Sequence, residues 1–267
     1  ELTLPTATEI PQIRGRIAAD TIDLAAFRAD SEQANGTTEA AADTPIDLAP
    51  LSSVDAELTL SVGQLQAPNL TLQGLTAQVS LQKGVLNVEV PQVGFGGGSI
   101  GFIARAWDDN GTAVADGRAT VAQLPLATVL AFAPSPYEAS GMLFADVGFT
   151  SRGTTTDTLT RNATAEGSIG LRDGRVTGLP LAQAVPGDPS AGTLDAVNVD
   201  ARFAGTDSPV SLSGSFNWRG EAFALTGTSG PPGVLLSGAP SNLNADLRSN
   251  RVATSYAGTV TLGGAAN

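Results

Sequence analysis

The sequence predicts an all-β protein, mainly antiparallel, with a few short helices. Between Val54 and Trp107 apolar residues alternate with polar ones, as at Leu58, Leu60 and Val62, so each strand has one apolar and one polar face. Turn-forming residues separate these runs, for example Lys83-Gly84. The chain of 267 residues contains 31 Gly and 15% charged residues, a composition that favours many turns over salt-bridged helices.

The N-terminal region, residues 1–28, is predicted to contain one strand and one short helix. Ile13 and Ile17 belong to the strand, and Asp23 is a suitable N-cap for a helical turn that reaches Phe27. Residues 29–45 are rich in Asp, Glu, Ala and Thr and contain no Lys or Arg. Because such a segment has little apolar surface to bury, we predict an acidic flexible loop.

Residues 46–136 are predicted to form a β-meander that ends in a short helix. Turns are expected at 67–69, at 83–84 and at 96–98, and a hairpin at 108–111. Apolar residues at helical spacing over 124–132, followed by Pro134, predict the helix.

Residues 137–267 are predicted to continue the sheet as one or more further β modules. We expect a polar connection over 152–161, two short strands about Asp173-Gly174, and a helical turn over 181–185. The alternation then resumes from Val197 and includes 234–236 among its strand segments.

Charge and composition exclude several classes of partner. The formal net charge of −12 opposes binding to nucleic acid and to anionic membrane surfaces. No apolar run approaches the length of a membrane-spanning helix. Because the chain opens at Glu1 without an initiator Met, we expect it to be part of a longer protein, with any membrane contact made by segments outside it.

The sequence offers no convincing catalytic, metal or cofactor site. Without His or Cys, the common triads, thiolate nucleophiles and zinc sites are excluded. The carboxylate pairs Asp108/Asp109 and Asp20/Asp23 lie in a predicted turn and at a predicted helix start, where Asp is favoured structurally. The glycine-rich run at 96–101 is followed by a predicted strand, whereas a dinucleotide site requires a helix there. We therefore expect a non-enzymatic protein without metal or cofactor.

Several short motifs, in their order along the chain, resemble AsmA-family envelope proteins: the first five resemble the carboxy-terminal half, and the last two are similar to later parts of the same family. They are Ile17-Ala18-Ala19-Asp20-Thr21-Ile22-Asp23-Leu24, Ile46-Asp47-Leu48-Ala49-Pro50-Leu51, Asp55-Ala56-Glu57-Leu58-Thr59-Leu60, Gly84-Val85-Leu86, Gly97-Gly98-Ser99-Ile100-Gly101, Asp173-Gly174-Arg175-Val176 and Phe216-Asn217-Trp218-Arg219-Gly220-Glu221. The resemblance implies a periplasm-facing, curved and elongated sheet that forms an apolar groove, on a protein anchored in the inner membrane of a Gram-negative bacterium. It also implies phospholipid transport towards the outer membrane.

A groove of this kind would hold acyl chains on the apolar face of the sheet. Exposing a lipid tail to water costs about 0.8 kcal/mol per methylene, which only a continuous apolar lining offsets. The candidate lining residues are Leu58, Leu60, Val62, Leu72, Val79, Leu81, Leu86, Val88, Val90, Ile100 and Phe102.

Two alternatives stay open at this point. Apolar residues at period two more often fill a closed β-sandwich or barrel than line a groove. The alternative function is a structural or chaperone-like module for outer-membrane protein assembly, in which free β edges pair with client strands or with other envelope proteins.

Overall fold

The computed structural model describes residues 2–3, 10–23, 45–67, 70–131, 138–179 and 188–261. The strands in this part of the chain are β1 (Leu2–Thr3), β2 (Gln12–Asp23), β3 (Asp55–Ala67), β4 (Leu70–Gln82), β5 (Val85–Phe95), β6 (Gly98–Asp108), β7 (Ala113–Pro125), β8 (Glu138–Gly153), β9 (Thr164–Thr177), β10 (Leu194–Phe203), β11 (Val210–Trp218), β12 (Glu221–Ser229), β13 (Ser241–Arg248) and β14 (Ala253–Val260). The helices are α1 (Leu126–Leu130), α2 (Thr156–Arg161) and α3 (Pro232–Leu236), and 3-10 turns cover Ala49–Ser53 and Pro189–Gly192. Strand order follows chain order. The prediction of an all-β fold with few short helices is confirmed.

The chain divides into two compact units. Unit one comprises residues 1–120 and 148–164, and unit two comprises residues 121–147 and 165–267. Strands β7 and β8 therefore each contribute residues to both units.

Unit one contains one parallel strand pair within an otherwise antiparallel arrangement. β2 runs parallel to β3, from Gln12 opposite Asp55 to Asp23 opposite Gln66. β3 to β6 then pair in antiparallel fashion, each with the next along the chain. Parallel neighbours require a crossover connection, and the described residues 45–54 form the part of it that leads into β3. The predicted turn at 83–84 and the hairpin after Asp108 are confirmed, and the turn predicted at 96–98 covers 96–97, because Gly98 begins β6.

Unit two is antiparallel from β9 to β14, again with each strand beside the next. The two short strands predicted about Asp173-Gly174 are wrong, because β9 continues through both residues. The register against β10 shifts on either side of Val197, and Asp173 has a φ of 49°. A β-bulge therefore absorbs the turn-like dipeptide without ending the strand.

Three further local predictions need correction. The helix predicted over 124–132 is shorter: Leu124 and Pro125 lie in β7, and α1 ends at Leu130. The connection predicted over 152–161 contains α2, which begins with a capping box between Thr155 and Thr158. Residues 234–236, predicted as strand, belong to α3, whose first residue is Pro232, a residue suited to the first helical turn.

Some predictions fall on residues outside the described part of the chain. They are the helical turn after Asp23, the acidic loop up to Thr44, the middle of the turn at 67–69, and the helical turn over 181–185.

Candidate functional site

One face of the sheet in unit one gathers the apolar residues of β3 to β6. Residues directly opposite each other on neighbouring strands share a face. Leu58 is opposite Val79, which is opposite Val88. The next row towards the turn at Lys83-Gly84 joins Leu81 to Leu86. We call this surface, from β3 to β6, the apolar face.

The register also places the remaining candidate residues on the apolar face. Leu60 and Val62 follow Leu58 at two-residue steps, and Val90 is opposite Phe102. Ile100 is two residues before Phe102 and is opposite Val93. All these positions are therefore on the side of the sheet that carries Leu58.

Leu72 also lies on the apolar face, although simple alternation along β4 would put it on the other side. It is opposite Phe95, which is opposite Gly98, and Gly98 is two residues before Ile100 on β6. Leu65 is in turn opposite Leu72. If β6 alternates regularly, β3, β4 and β5 must each depart from simple alternation once.

The irregularity follows a row across the sheet, which we call the glycine row and which contains Gly63 on β3, Gly74 on β4 and residues 91–92 on β5. The register between β5 and β6 shifts between Val90 and Val93, as at a β-bulge. On β4, Gly74 has a φ of 64°, and on β3 a side chain at Gly63 would come 2.7 Å from the carbonyl oxygen of Asp20. A depression of about 440 Å³, lined in part by Gly63, Gly74 and Leu75, lies at this row.

The apolar face is only partly buried. Leu58 and Phe102 are each 36% exposed, whereas Val62 is 2% exposed. Among the described residues, no large side chain is fully buried. The face is therefore not filled in the way that the interior of a closed sandwich is.

The opposite face of the same strands is polar. Glu57 is opposite Ser80, and Ser80 is opposite Asn87. Arg14 of β2 forms an ion pair with Glu57 at 3.6 Å. Arg105 donates to Asp116 through Nε at 2.8 Å, and this hydrogen bond raises the pKa of the guanidinium above its ordinary value. Glu57 and Arg105 therefore lie away from the apolar face.

An aromatic pair extends the apolar face to β8. Asp109 and Thr112 exchange backbone hydrogen bonds of 2.8 and 3.2 Å, a hairpin register that sets Gly117 opposite Ala104 on the apolar face. The Phe149 ring lies over Gly117, where a Cβ would be 2.5 Å from Cζ of that ring. Its centroid is 6.0 Å from that of Phe102, with the two rings nearly parallel.

Several apolar-face residues escaped the sequence analysis. Leu65 and Val93 were missed because the glycine row inverts the alternation, and Phe149 because its partner is distant in sequence. Leu75 follows the regular alternation of Val79 and Leu81 on β4 and could have been predicted from it. The signal that was present is the pair Gly63 and Gly74, since glycine within a strand often marks a bulge or a close backbone approach.

Unit two has the same two-faced character. Val199 is opposite Leu171 on one side and Gly214 on the other, and the row continues to Leu225 and Leu247. The next position along β10, Asp200, pairs with Arg172 at 2.6 Å on the other face. The Phe216 and Phe223 rings stack at 5.4 Å on the apolar side.

One of the comparisons with known proteins identifies a family. The model of the AsmA family matches residues 1–215. The chain belongs to the AsmA family. This AsmA-family chain had no match among curated proteins or among solved structures.

The AsmA family is associated with the bacterial envelope, in roles that concern lipids or assembly. Within the described residues of this AsmA-family chain, none of the helices has the length and apolar character needed to cross a membrane. The same residues contain no group of three or more acidic side chains suited to a metal ion.

Proposed function

We propose that this AsmA-family chain holds phospholipid acyl chains on its apolar face and acts, without enzymatic activity, in phospholipid transport and outer-membrane lipid homeostasis. The proposed location is the periplasm of a Gram-negative bacterium. The full-length protein would be anchored in the inner membrane by segments outside this chain, which would also make the membrane contacts.

The observation that carries the proposal is a continuous apolar surface that is buried at Val62, Ala77, Leu81 and Val93 but only partly buried at its other large side chains. From Ala56 to Val62 on β3, each position on this face is apolar, and its opposite residues on β4, from Leu81 to Leu75, are apolar too. Leu58, in the middle of that surface, remains 36% exposed. A contiguous exposed apolar surface marks a binding site in a folded protein.

The dimensions and energies of the face suit a hydrocarbon chain. Thirteen residues of β3 extend over about 43 Å at about 3.3 Å per residue, which is longer than the hydrocarbon thickness of one bilayer leaflet, about 15 Å. Each methylene removed from water contributes about 0.8 kcal/mol. A surface without charges can gain this energy without leaving a polar group unpaired.

The test is to purify the chain from a Gram-negative host without detergent and to identify what is bound. Native mass spectrometry and lipid extraction should find phospholipid at one molecule per chain or more. Recovery of the chain free of lipid, together with failure to take up phospholipid from vesicles of zwitterionic phosphatidylcholine, would refute the proposal.

A second candidate function is strand pairing with a client protein during outer-membrane assembly. The observation that favours it is β14, which contains no charged residue and no Pro. Among the described strands, β14 pairs with β13 alone. Edge strands of soluble proteins usually carry charged residues or Pro, which prevent pairing with another chain. Capture of an unfolded outer-membrane β-barrel protein by lipid-free chain, lost in the variant Ser255→Pro, would support this function over lipid transport.

A further inference from the structure

One end of the sheet in unit one is crossed by the segment that precedes β3. β3 and β5 begin at this end and β4 ends there, at the turn Lys83-Gly84. β8 also ends there, since Arg152 near its last residue forms an ion pair of 2.6 Å with Asp109 of the β6–β7 hairpin. Residues 45–54, which we call the end strap, run along this edge.

The end strap is tied down at both of its ends. Pro45 forms an antiparallel bridge with Thr155, and the Ile46 N–H donates to the Thr154 carbonyl at 2.9 Å. At its far end it enters β3, where the Asp55 N–H donates to the Pro11 carbonyl at 2.9 Å. Five strand spacings of about 4.8 Å separate β8 from β3, about 24 Å, a span that ten residues can reach.

Local hydrogen bonds give the middle of the end strap a defined shape. The Ala49 N–H donates to the Asp47 carboxylate at 3.0 Å, and the Ser52 and Ser53 hydroxyls donate to carbonyls three residues earlier, at 2.8 and 2.6 Å. Ser52 also lies against the β4–β5 turn, with its Cβ 3.5 Å from where a Cβ at Gly84 would be. The strap is therefore a built element and not a loose connection.

The end strap has an inner and an outer side. Its exposed positions include Asp47, Ser52 and Ser53. The half-buried positions are all apolar, and they are Ile46, Leu48, Leu51 and Val54. Apolar side chains are half-buried on a surface segment when they pack against the body of the protein.

Burial in the row of the apolar face nearest the end strap differs between strands. Leu81 in this row is 7% exposed and Leu58 in the following row is 36% exposed, while Ala77 and Val62, farther from the strap, are 8% and 2% exposed. On β2, which lies beyond β3 and outside the span of the end strap, Ile13 and Ile17 are 41% and 57% exposed. In the row nearest the strap, burial is therefore high at Leu81 on β4 and low at Ile13 on β2.

We infer that the end strap is an end stop, which limits how far a hydrocarbon chain on the apolar face can extend and so sets the longest chain that gains affinity. This inference rests on the proposed function. The tail of the ligand ends against the inner, apolar side of the strap, and its polar end lies towards the glycine row. Ala56 and Gly63 are seven residues apart, so this stretch is about 23 Å long.

The test uses saturated fatty acids of increasing length, each with an even number of carbons. They compete with a fluorescent fatty acid for binding to the whole chain of 267 residues. Affinity should rise about fourfold per added methylene. It should reach a plateau at the length at which the hydrocarbon tail meets the end strap. The double variant Leu48→Ala/Leu51→Ala should move the plateau to longer chains. The variant Leu51→Phe, which adds volume, should move it to shorter chains.

The control variant is Ile103→Ala, which removes a 48% exposed side chain from the polar face and should leave the plateau unchanged. Circular dichroism and thermal unfolding establish whether each variant is folded. If the double variant is not folded, Leu51→Phe alone tests the end stop. If fatty acids bind but the plateau stays at the same length in every folded variant of the end strap, the end stop is wrong and the proposed function is unaffected. No binding at any chain length would overturn both.

Discussion

The ring of Phe149 stacks on that of Phe102 at 6.0 Å between centroids, although the two residues lie on strands separated by β7. The contact exists because the intervening strand presents Gly117 at this point, and the Phe149 ring occupies the space of its missing side chain. A single glycine thus allows two large aromatic groups to meet on the apolar face. Aromatic pairs of this kind contribute about 0.5–1.5 kcal/mol beyond the area that they bury.

Gly117→Ala should destabilise unit one by about 1–3 kcal/mol, because its Cβ would overlap the Phe149 ring and approach the Ile103 carbonyl oxygen. Urea unfolding followed by circular dichroism measures the loss. Phe149→Leu in the same chain should recover part of it, since the ring overlap is relieved while the backbone approach remains. Equal stability of Gly117→Ala and the parent chain would contradict this account.

Leu58→Asp should lower the phospholipid bound to purified chain by at least about tenfold, because a carboxylate on the apolar face must lose its hydration when a tail covers it. Leu58 is 36% exposed, so the unliganded fold should tolerate the change. The matched control is Thr59→Asp, which puts the same charge on the opposite face. Quantitative lipid extraction compares the two, and equal lipid content in both variants would be evidence against the apolar face as the binding surface.

Thr155→Ala should cost about 1 kcal/mol of unfolding free energy. The Thr155 hydroxyl accepts from the Thr158 N–H at 3.2 Å, and the Thr158 hydroxyl accepts from the Thr155 N–H at 3.0 Å, so the change removes half of a capping box. Thr160→Ala, in the exposed part of the same helix, should change stability by less than about 0.5 kcal/mol. Thermal or urea unfolding distinguishes them, and the cap is unimportant if the two variants behave alike.

Trp218→Phe should destabilise unit two by about 1–3 kcal/mol. Its indole N–H donates at 2.9 Å to the carbonyl of Ala191, a residue that is 0% exposed, so the variant leaves a buried acceptor unpaired. Trp107→Phe is the control, because the Trp107 indole makes no hydrogen bond to the described residues. We expect this variant to lose less unfolding free energy than Trp218→Phe. The expectation fails if urea midpoints fall equally in both variants.

The two faces of the strands could be predicted from sequence because alternation is a local property. A period of two puts Leu58, Leu60 and Val62 on one side of β3 whatever the neighbours are. Turn chemistry is local as well, and Lys83-Gly84 ends one strand and begins the next as predicted. Family membership could also be predicted, because the order of the short motifs carries it.

Other features depend on groups that are far apart in the chain. The parallel pairing of β2 and β3 needs a crossover, and no local pattern in either strand indicates its direction. Leu65 and Val93 join the apolar face only because an irregular row runs across neighbouring strands. Asp173-Gly174 has the composition of a turn, yet the register against β10 keeps it within β9.

The sequence alone determined that this protein is built of amphipathic β-strands, that the residues of a regular run such as Leu58, Leu60 and Val62 share one side, and which family the chain belongs to. Only the tertiary structure decided that this apolar surface remains partly open, that Phe149 adds to it over Gly117, and that residues 45–54 cross one end. The physical reason is that alternation and turn propensity act between neighbours in the chain. Strand register, bulges and crossover connections depend on pairings across many residues, which become defined only when the sheet forms.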